Sequence, residues 1–352
     1  MSVSPSQLAT LLKATIPAGL HILVTGKPGI GKTDILTQVT AAINYDLVVS
    51  HPVTSDPTKA EGLPWVYQTA DGPRAAFIPL GELELVYAAT RPTVWLIDDL
   101  GQAAPSTQAS FMGQLHPPTF NGKRIAVNGH SLPECVTILA ATNRRVDRAG
   151  VSGILEPVKS RFTSIVELEP DIDAWCQWAY GHGISPMLIA FLRFRPDLLC
   201  NFQATADLTN SPVPRTWHSL AKLEALTLPT DIESSAMSGA VGEGPALEYL
   251  SFRSMYKSMV NLDAILLNPD KTAIPSKPDQ LYATAVGLAA RANDTNFSRI
   301  ATYATRLAVE ANRGEFAVLM VRDAIRRDEK IQYTDSFVRL NSGPIGQLIS
   351  GK

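Results

Sequence analysis

The sequence predicts an α/β protein in which helices cover both faces of a parallel β-sheet and an all-helical part follows. Five short apolar runs, each bounded by turn residues, lie within the first 170 residues. Helical stretches separate these runs, and the sequence after Pro170 has helical patterns without strand-like runs. Because parallel strands need a crossover connection, this alternation favours a parallel sheet that is buried on both faces.

The predicted elements begin with a short amphipathic helix over residues 4–18. Ser4 suits the N-cap and Pro5 the first turn, whereas Pro17 and Gly19 end the helix. The runs that predict the five strands span residues 21–25, 46–50, 93–97, 135–141 and 164–168. The helices predicted between them span residues 32–43 and 106–115.

Two stretches interrupt the alternation and predict hairpins. Residues 65–77 place Ala-Asp-Gly-Pro between apolar flanks. Residues 120–133 contain Asn-Gly twice, and this dipeptide is a strong signal of a tight hairpin turn. We therefore predict two hairpin inserts within the α/β part.

The change of pattern after Pro170 divides the chain into three predicted regions. These are an α/β core over residues 1–170, a helical region over 171–267 and a C-terminal helical region over 268–352. The last boundary falls at a proline-rich stretch, residues 268–278. The helices predicted after Pro170 span residues 171–180, 186–193, 215–226, 244–259, 279–292, 297–310 and 316–327.

Composition narrows the function classes. The chain has 352 residues, 45% of them hydrophobic, and a formal net charge of −2, which favours a globular protein without an overall attraction to nucleic acid or anionic membranes. A local basic groove remains open. The three cysteines, Cys135, Cys176 and Cys200, predict neither a disulfide framework nor a zinc site. Signal-peptide and membrane-span patterns are absent, so we expect a soluble, cytoplasmic protein.

A glycine-rich loop follows the first predicted strand and opens a helix. Its sequence, GKPGIGKT, satisfies G-x-x-x-x-G-K-[ST], in which backbone N–H groups hold phosphates. We expect Lys32 to neutralise the β- and γ-phosphates and the Thr33 hydroxyl to hold Mg²⁺. A glycine-rich turn without a ligand is the alternative. The predicted nucleotide-binding residues are Gly26, Lys27, Pro28, Gly29, Ile30, Gly31, Lys32, Thr33 and Asp34.

Two carboxylates follow the third predicted strand. Asp98 and Asp99 come directly after the apolar run at 93–97, at the edge of a parallel sheet where ligands bind. We expect Asp98 to coordinate Mg²⁺ and Asp99 to polarise the attacking water. The alternative is that this acidic pair only begins a solvated turn.

Asn143 ends the fourth predicted strand and is a candidate to bind the γ-phosphate or the attacking water, although asparagine also forms turns. Arg161 precedes the fifth strand, and Arg215 begins a later helix. Arginine in such places pairs with a local carboxylate or reaches the phosphates. For Arg144, Arg145 and Arg148 a solvated face and a place at a subunit seam remain equally open. We predict catalytic roles for Lys32, Asp99, Asn143, Arg161 and Arg215.

Six motifs in order resemble those of AAA+ ATPases, and as a set they are similar to the MoxR family, in particular its compact phage and bacterial members. The motifs are GKPGIGKT (26–33), SDPTKAEGLPW (55–65), VWLIDDLGQAAPSTQASFMGQL (94–115), ILAATNR (138–144), EPVKSRF (156–162) and PRTW (214–217). This resemblance implies a hexameric ring that binds Mg²⁺ and ATP between the core and a helical lid, residues 171–267. It also implies a cytoplasmic place, in bacteria or phage-infected cells.

The resemblance also assigns roles. It implies Lys32 and Thr33 as Walker A residues, Asp98 as the Walker B acid, Asn143 as sensor 1, Arg161 as the trans-acting arginine finger and Arg215 as sensor 2. Both predicted hairpins would face the ring pore. The family's usual catalytic acid is glutamate, whereas this chain has Asp99. Because aspartate is one methylene shorter, this departure predicts slow hydrolysis, or hydrolysis that depends on assembly or a partner.

MoxR-type proteins resemble chaperones, which implies a protein client or adaptor, often one with a von Willebrand type A domain. Two other function classes remain open. A nucleic-acid motor would use Lys123 and Arg124 in the second predicted hairpin, but aromatic stacking residues are sparse there. A nucleotide-gated scaffold with low turnover would explain Asp99.

Overall fold

The structure is a computed structural model that describes residues 2–116, 124–147, 150, 153–205, 207–259, 261–343, 345, 346 and 348. The chain divides into two compact units. The first unit comprises Met1–Asp171 with Phe202–Ala206, and the second comprises Ile172–Asn201 with Asp207–Lys352. Among the described residues, no helix has both the length and the hydrophobicity needed to cross a bilayer.

The first unit is an α/β unit. Its strands are β1 (Ser2–Val3), β2 (Ile22–Gly26), β3 (Asp46–Ser50), β4 (Leu63–Thr69), β5 (Gly72–Ile78), β6 (Thr93–Ile97), β7 (Val136–Asn143) and β8 (Ser164–Leu168). Its helices are α1 (Pro5–Thr15), α2 (Lys32–Ala42), α3 (Thr58–Glu61), α4 (Glu82–Tyr87), α5 (Pro105–Ser110) and α6 (Glu156–Lys159).

The main sheet confirms the predicted α/β class and corrects its strand count. Six strands lie in the order β1-β8-β2-β7-β6-β3, and every neighbouring pair is parallel. The prediction of five strands omitted β1, which pairs with β8 through two residues only. A strand that short carries no period-2 pattern, so the sequence gives no signal for it.

Burial explains why these runs become central strands. All five residues of β6 are buried, and seven of the eight residues of β7 are buried as well. β7 also runs two residues further than the predicted 135–141 and ends at Asn143, which lies opposite Gly26 in the register with β2. The carboxyl ends of β2, β6 and β7 therefore meet at one edge of the sheet.

The N-terminal helix forms as its capping residues predict. Ser4 is the N-cap of α1, and its side chain accepts a hydrogen bond from the Gln7 N–H. The Gln7 side chain accepts one from the Ser4 N–H in return, which completes a capping box. Pro5 occupies the first turn, where its missing N–H needs no partner.

Only one of the two predicted inserts has paired strands within the described residues. β4 and β5 pair in antiparallel fashion from Leu63 opposite Ile78 to Thr69 opposite Gly72, which confirms the predicted hairpin. In the second insert residues 120–123 lie outside the described residues. Its described part, 124–133, has an antiparallel bridge between Val127 and His130 around the predicted Asn-Gly turn, and the extent of the hairpin stays a prediction. Asn128 and Gly129 in that turn have positive φ of 54° and 90°.

Among its described residues, the second unit has helices as its only regular secondary structure. Its helices are α7 (Ile172–Gly181), α8 (Pro186–Phe194), α9 (Pro214–Glu224), α10 (Thr230–Val241), α11 (Glu243–Met259), α12 (Leu262–Leu267), α13 (Pro278–Arg291), α14 (Phe297–Val309), α15 (Gly314–Arg327) and α16 (Asp335–Asn341). The sequence analysis identified seven of them and omitted α10, α12 and α16. The division of this part into a lid and a C-terminal region remains a prediction.

Two apolar clusters form the core of the second unit. The first is built around Phe191, Trp217 and Tyr249, and the second around Phe297 and Tyr303. α13 contributes to both, because its Ala283 and Val286 belong to the first cluster, whereas its Leu281, Ala285 and Leu288 belong to the second.

Candidate functional site

The glycine-rich loop connects β2 to α2. A Cβ atom on Gly26 would lie 2.7 Å from Ile30 Cδ1 and 2.8 Å from the Leu168 carbonyl oxygen, so only glycine fits there. Gly29 and Gly31 have positive φ of 72° and 94°, which other residues rarely adopt. These glycines therefore allow the chain to leave the sheet and enter the helix in the space of one short loop.

The loop ends at the N-terminus of an eleven-residue helix. Gly31 is the N-cap of α2, and among the described residues no side chain caps this end. The N–H groups of the first turn are directed out of the helix end, and the helix dipole adds positive potential there. Together with the glycine conformations, this geometry fits a phosphate group. Asp34 lies in the same turn and is exposed.

Lys32 joins the loop to the end of β7. Its buried Nζ donates to the carbonyl oxygens of Gly26, at 3.0 Å, and Lys27, at 2.8 Å. It also donates to Asn143 Oδ1 at 2.7 Å. The structure thus brings together Lys32 and Asn143, which stand 111 positions apart in the sequence. A cation held by these uncharged oxygens is placed to attract an anionic ligand.

Thr33 and Asp98 form a pair of oxygen groups beside Lys32. Thr33 Oγ1 donates to the Asp98 carboxylate, at 2.9 Å from Oδ2 and 3.1 Å from Oδ1. Asp98 is buried directly after β6, and its N–H donates to the Ser50 carbonyl oxygen at 2.9 Å. A hydroxyl and a carboxylate are oxygen ligands that suit Mg²⁺, which keeps several waters and also binds nucleotide phosphates. The residues present therefore fit the predicted metal.

Asp99 has an unusual backbone conformation, with φ of 56° and ψ of 33° in the left-handed region. Aspartate tolerates this region better than most residues with a side chain. A turn of 3₁₀-helix, Leu100–Gln102, follows at once. Gln102 Nε2 donates to Asp99 Oδ1 at 2.6 Å. Gln102 was not predicted as a site residue, because an uncharged residue that follows the acidic pair within VWLIDDLGQ carries no sequence signal for a role in the site.

Arg144 is an internal clamp and does not lie on a solvated face. Its guanidinium donates two hydrogen bonds of 2.8 Å to Asp147 and one of 2.8 Å to Glu167 on β8. These bonds to Asp147, offset in part by burial, raise the pKa of Arg144. The clamp fixes the end of β7 to β8 directly after Asn143. Arg145 is exposed, and Arg148 lies outside the described residues.

Among the described residues, the two other predicted arginines form no hydrogen bond with Lys32, Thr33, Asp98 or Asn143. Arg161 follows α6 and donates to the Pro157 carbonyl oxygen. Its Nε is buried and has no hydrogen-bond partner within the described residues. Arg215 belongs to the second unit, where it is exposed in the first turn of α9. Their predicted roles at the phosphates remain predictions.

A family model described as an AAA domain of the dynein-related subfamily matches residues 21–162. That range contains the glycine-rich loop, both aspartates, Asn143 and Arg161. This part of the chain is similar to the AAA domains of AAA+ ATPases. The α/β unit therefore contains an ATP-hydrolysing AAA domain, and the nucleotide-binding roles of the loop, Lys32 and Thr33 remain predictions.

Solved structures similar to this ATPase are distant in sequence. The RuvB Holliday junction branch migration motor of Thermotoga maritima is 16% identical over 81% of this chain and 80% of its own, with a TM-score of 0.39. A putative ATPase from Cytophaga hutchinsonii is 14% identical over 92% and 81%, with a TM-score of 0.34. NtrX from Brucella abortus, solved with ADP, is 15% identical over 98% and 67%, with a TM-score of 0.38. A search of curated proteins found no significant match.

Proposed function

We propose that this ATPase uses Mg²⁺ and ATP to remodel or activate a partner protein, as a hexameric ring of the MoxR type. The observation that carries the proposal is the convergence of Lys32, Thr33, Asp98 and Asn143 at one sheet edge. The motif set from GKPGIGKT to PRTW supports the MoxR assignment.

The chain's own residues account for nucleotide binding. The loop N–H groups and the α2 N-terminus hold the phosphates, and Lys32 neutralises their charge. Thr33 and Asp98 would hold Mg²⁺, which supplies further neutralisation of the phosphate charge when bound. Asn143 hydrogen-bonds the terminal phosphate or the attacking water from the end of β7.

Asp99 acts as the general base in this proposal. Gln102 donates to Oδ1, whereas Oδ2 has no hydrogen-bond partner within the described residues, so Oδ2 accepts the proton of the attacking water. As the water oxygen bonds to the γ-phosphorus, the bond from this phosphorus to the bridging oxygen breaks, so that ADP keeps the bridging oxygen and inorganic phosphate forms. An aspartate at this place gives slower turnover than glutamate because its carboxylate lies farther from the water.

Subunit assembly completes the site in this proposal. Arg161 reaches the nucleotide of the neighbouring subunit. Its buried Nε has no hydrogen-bond partner within the described residues, which supports a role beyond the bond to Pro157. Arg215 closes over the phosphates as the sensor of the helical lid. The β4–β5 hairpin exposes Trp65, Val66 and Tyr67, and these apolar side chains support contact with a protein client or adaptor.

The first experiment measures the ATPase rate per subunit over a protein dilution series, with increasing fractions of Arg161→Ala subunits. We expect the rate to rise with concentration and to fall more steeply than the fraction of variant. Arg91→Ala is the matched control, because the Arg91 side chain forms an exposed pair with Asp46 at 3.5 Å, whose loss should cost little.

A rate that is independent of concentration and proportional to the wild-type fraction would contradict the shared-site ring. Turnover that DNA stimulates strongly would instead favour a nucleic-acid motor. Tight nucleotide binding with negligible turnover in assembled rings would favour the nucleotide-gated scaffold.

A further inference from the structure

Gln102 lies between Asp99 and the end of β7. Its Nε2 donates to Asp99 Oδ1 at 2.6 Å, and its Oε1 lies 3.4 Å from Thr142 Oγ1. Thr142 immediately precedes Asn143, which accepts a hydrogen bond from Lys32. One half-buried amide group thus connects the acidic strand end with the strand end that carries Asn143.

The backbone fixes this amide in place. The left-handed conformation of Asp99 turns the chain into the 3₁₀ turn, and the Gln102 N–H donates to the Asp99 carbonyl oxygen at 3.0 Å. In 3₁₀ geometry residues three apart lie on the same side, so the side chain of Gln102 returns over that of Asp99. Leu100 and Gly101 between them are buried, which holds the turn against the core.

The two neighbours also fix which way the amide faces. A carboxylate only accepts hydrogen bonds, so the NH₂ group must face Asp99. The oxygen then faces the Thr142 hydroxyl, which also lies 3.1 Å from the Asn143 carbonyl oxygen. The amide therefore donates to Asp99 in a single orientation and restricts the rotation of its carboxylate.

We propose that Gln102 is a positioning residue for ATP hydrolysis. It holds the Asp99 carboxylate so that one oxygen is directed toward the attacking water, and it couples this orientation to the end of β7 at Thr142. This inference rests on the proposed role of Asp99 as the base. It would also reduce the loss in rate that the shorter acid causes, because an anchored aspartate loses less by its length than a freely rotating one.

The proposed role of Gln102 predicts an effect on kcat that is separate from nucleotide binding. Lys32, Thr33 and the loop make the nucleotide contacts, and Gln102 has no hydrogen bond to them among the described residues. A loss at Gln102 should therefore lower kcat and leave KM unchanged. A purely structural role would instead lower the melting temperature and weaken nucleotide binding together.

The test uses the full-length protein with Gln102→Glu, which keeps the shape of the side chain but replaces the donor with a second carboxylate. We expect kcat to fall about 10- to 100-fold, with KM and ADP affinity within about twofold and the melting temperature unchanged. Gln102→Leu, which also removes the donor, should lower kcat about 10-fold. Gln38→Glu on the exposed face of α2 is the control and should turn over at the wild-type rate.

Asp99→Asn separates this inference from the proposed function. We expect this change to lower kcat about 100-fold, and Gln102→Glu should add less than about twofold in that background, because both act through one group. Wild-type turnover in Gln102→Glu, or a loss of folding and ADP binding in that variant, would overturn the role of Gln102 alone. Wild-type turnover in Asp99→Asn would overturn the proposed base and the inference with it.

Discussion

Both units bury charged side chains, but the hydrogen-bond partners of these side chains differ between the two units. In the α/β unit the Lys32 ammonium donates to two carbonyl oxygens and the Asn143 amide oxygen. In the helical unit Asp323, with no exposed surface, accepts from Arg193 at 3.0 Å and from the Tyr180 hydroxyl. The second group is an internally matched ion pair, whereas these three hydrogen bonds of Lys32 go to neutral oxygens at a helix end. A buried charge at a helix N-terminus is therefore a candidate ligand site, whereas a buried charge that is matched by an opposite charge within the core contributes to the stability of the fold.

The largest effect is expected when Lys32 is replaced. Lys32→Ala should lower kcat/KM for ATP by about 1000-fold or more, because it removes the charge that opposes the phosphates. The melting temperature should change little, because the loss of these hydrogen bonds is offset by relief of the cost of burying an ammonium group. Steady-state hydrolysis and calorimetry measure the two effects. Lys13→Ala, at an exposed position of α1, is the control, and equal activity losses in both variants would refute the assignment.

The opposite pattern is expected at Asp323. Asp323→Ala should lower the free energy of unfolding of the helical unit by about 4 kcal/mol, because it leaves the buried Arg193 without its carboxylate. The affinity of the full chain for ADP should remain near the wild-type value. Denaturant titration gives the free energy of unfolding, and Asp173→Ala is the matched control.

Asp173 lies 3.4 Å from the same Arg193, but its side chain is 65% exposed. Its removal should therefore cost less than about 1 kcal/mol. Similar losses in the two variants would show that burial does not decide the strength of this pair. Replacing Asp323 and Arg193 together with Leu and Met should recover much of the loss.

A smaller effect depends on pH in the α/β unit. Burial, together with the charge of Arg124, lowers the pKa of His21 to about 4 from 6.5. Because the unfolded chain then binds more protons between these values, stability is full above about pH 6.5 and falls as the pH drops toward 4. The expected loss is about 3 kcal/mol, measured by denaturant titration across this range. Since the Ile138 N–H donates to His21 Nδ1 at 3.2 Å, His21→Asn keeps an acceptor and should remove most of this dependence.

The smallest effect is expected at Thr33, and it tests whether the hydroxyl belongs to the predicted Mg²⁺ site. Thr33→Val removes the hydroxyl that donates to Asp98 but keeps the shape of the side chain. The Mg²⁺ concentration needed for half-maximal hydrolysis should rise about 10-fold. Thr37→Val, on the exposed side of the same helix, should leave the Mg²⁺ requirement unchanged. An unchanged Mg²⁺ requirement in Thr33→Val would contradict the assignment of the Thr33 hydroxyl to the metal site.

The elements that could be predicted have strong local patterns. The strand at 93–97 has four consecutive apolar residues, and the loop before Lys32 has the spacing that is typical of phosphate-binding loops. β1 has two residues and depends on its pairing with β8, so no local pattern reports it. Helix α10 escaped prediction because it lacks a clear apolar stripe, its buried residues being Met237, Ala240 and Val241 near its end.

Within the site, residue types were easier to predict than their partners. The sequence placed Lys32, Asp98 and Asn143 at strand and helix ends, and parallel strands bring such ends together. The left-handed backbone of Asp99 and the hydrogen bond from Gln102 depend on how the turn packs on Leu100. The clamp at Arg144 needs Glu167 from another strand, so the sequence left its role open.

One consequence concerns α13. This helix supplies Ala283 and Val286 to one apolar cluster of the helical unit and Leu281 and Leu288 to the other. A shared helix makes the two clusters a single cooperative unit, because neither can melt without removing side chains from the other. Cleavage within the proline-rich segment that precedes it would therefore leave two fragments, each with an incomplete interior, that hold together only by association.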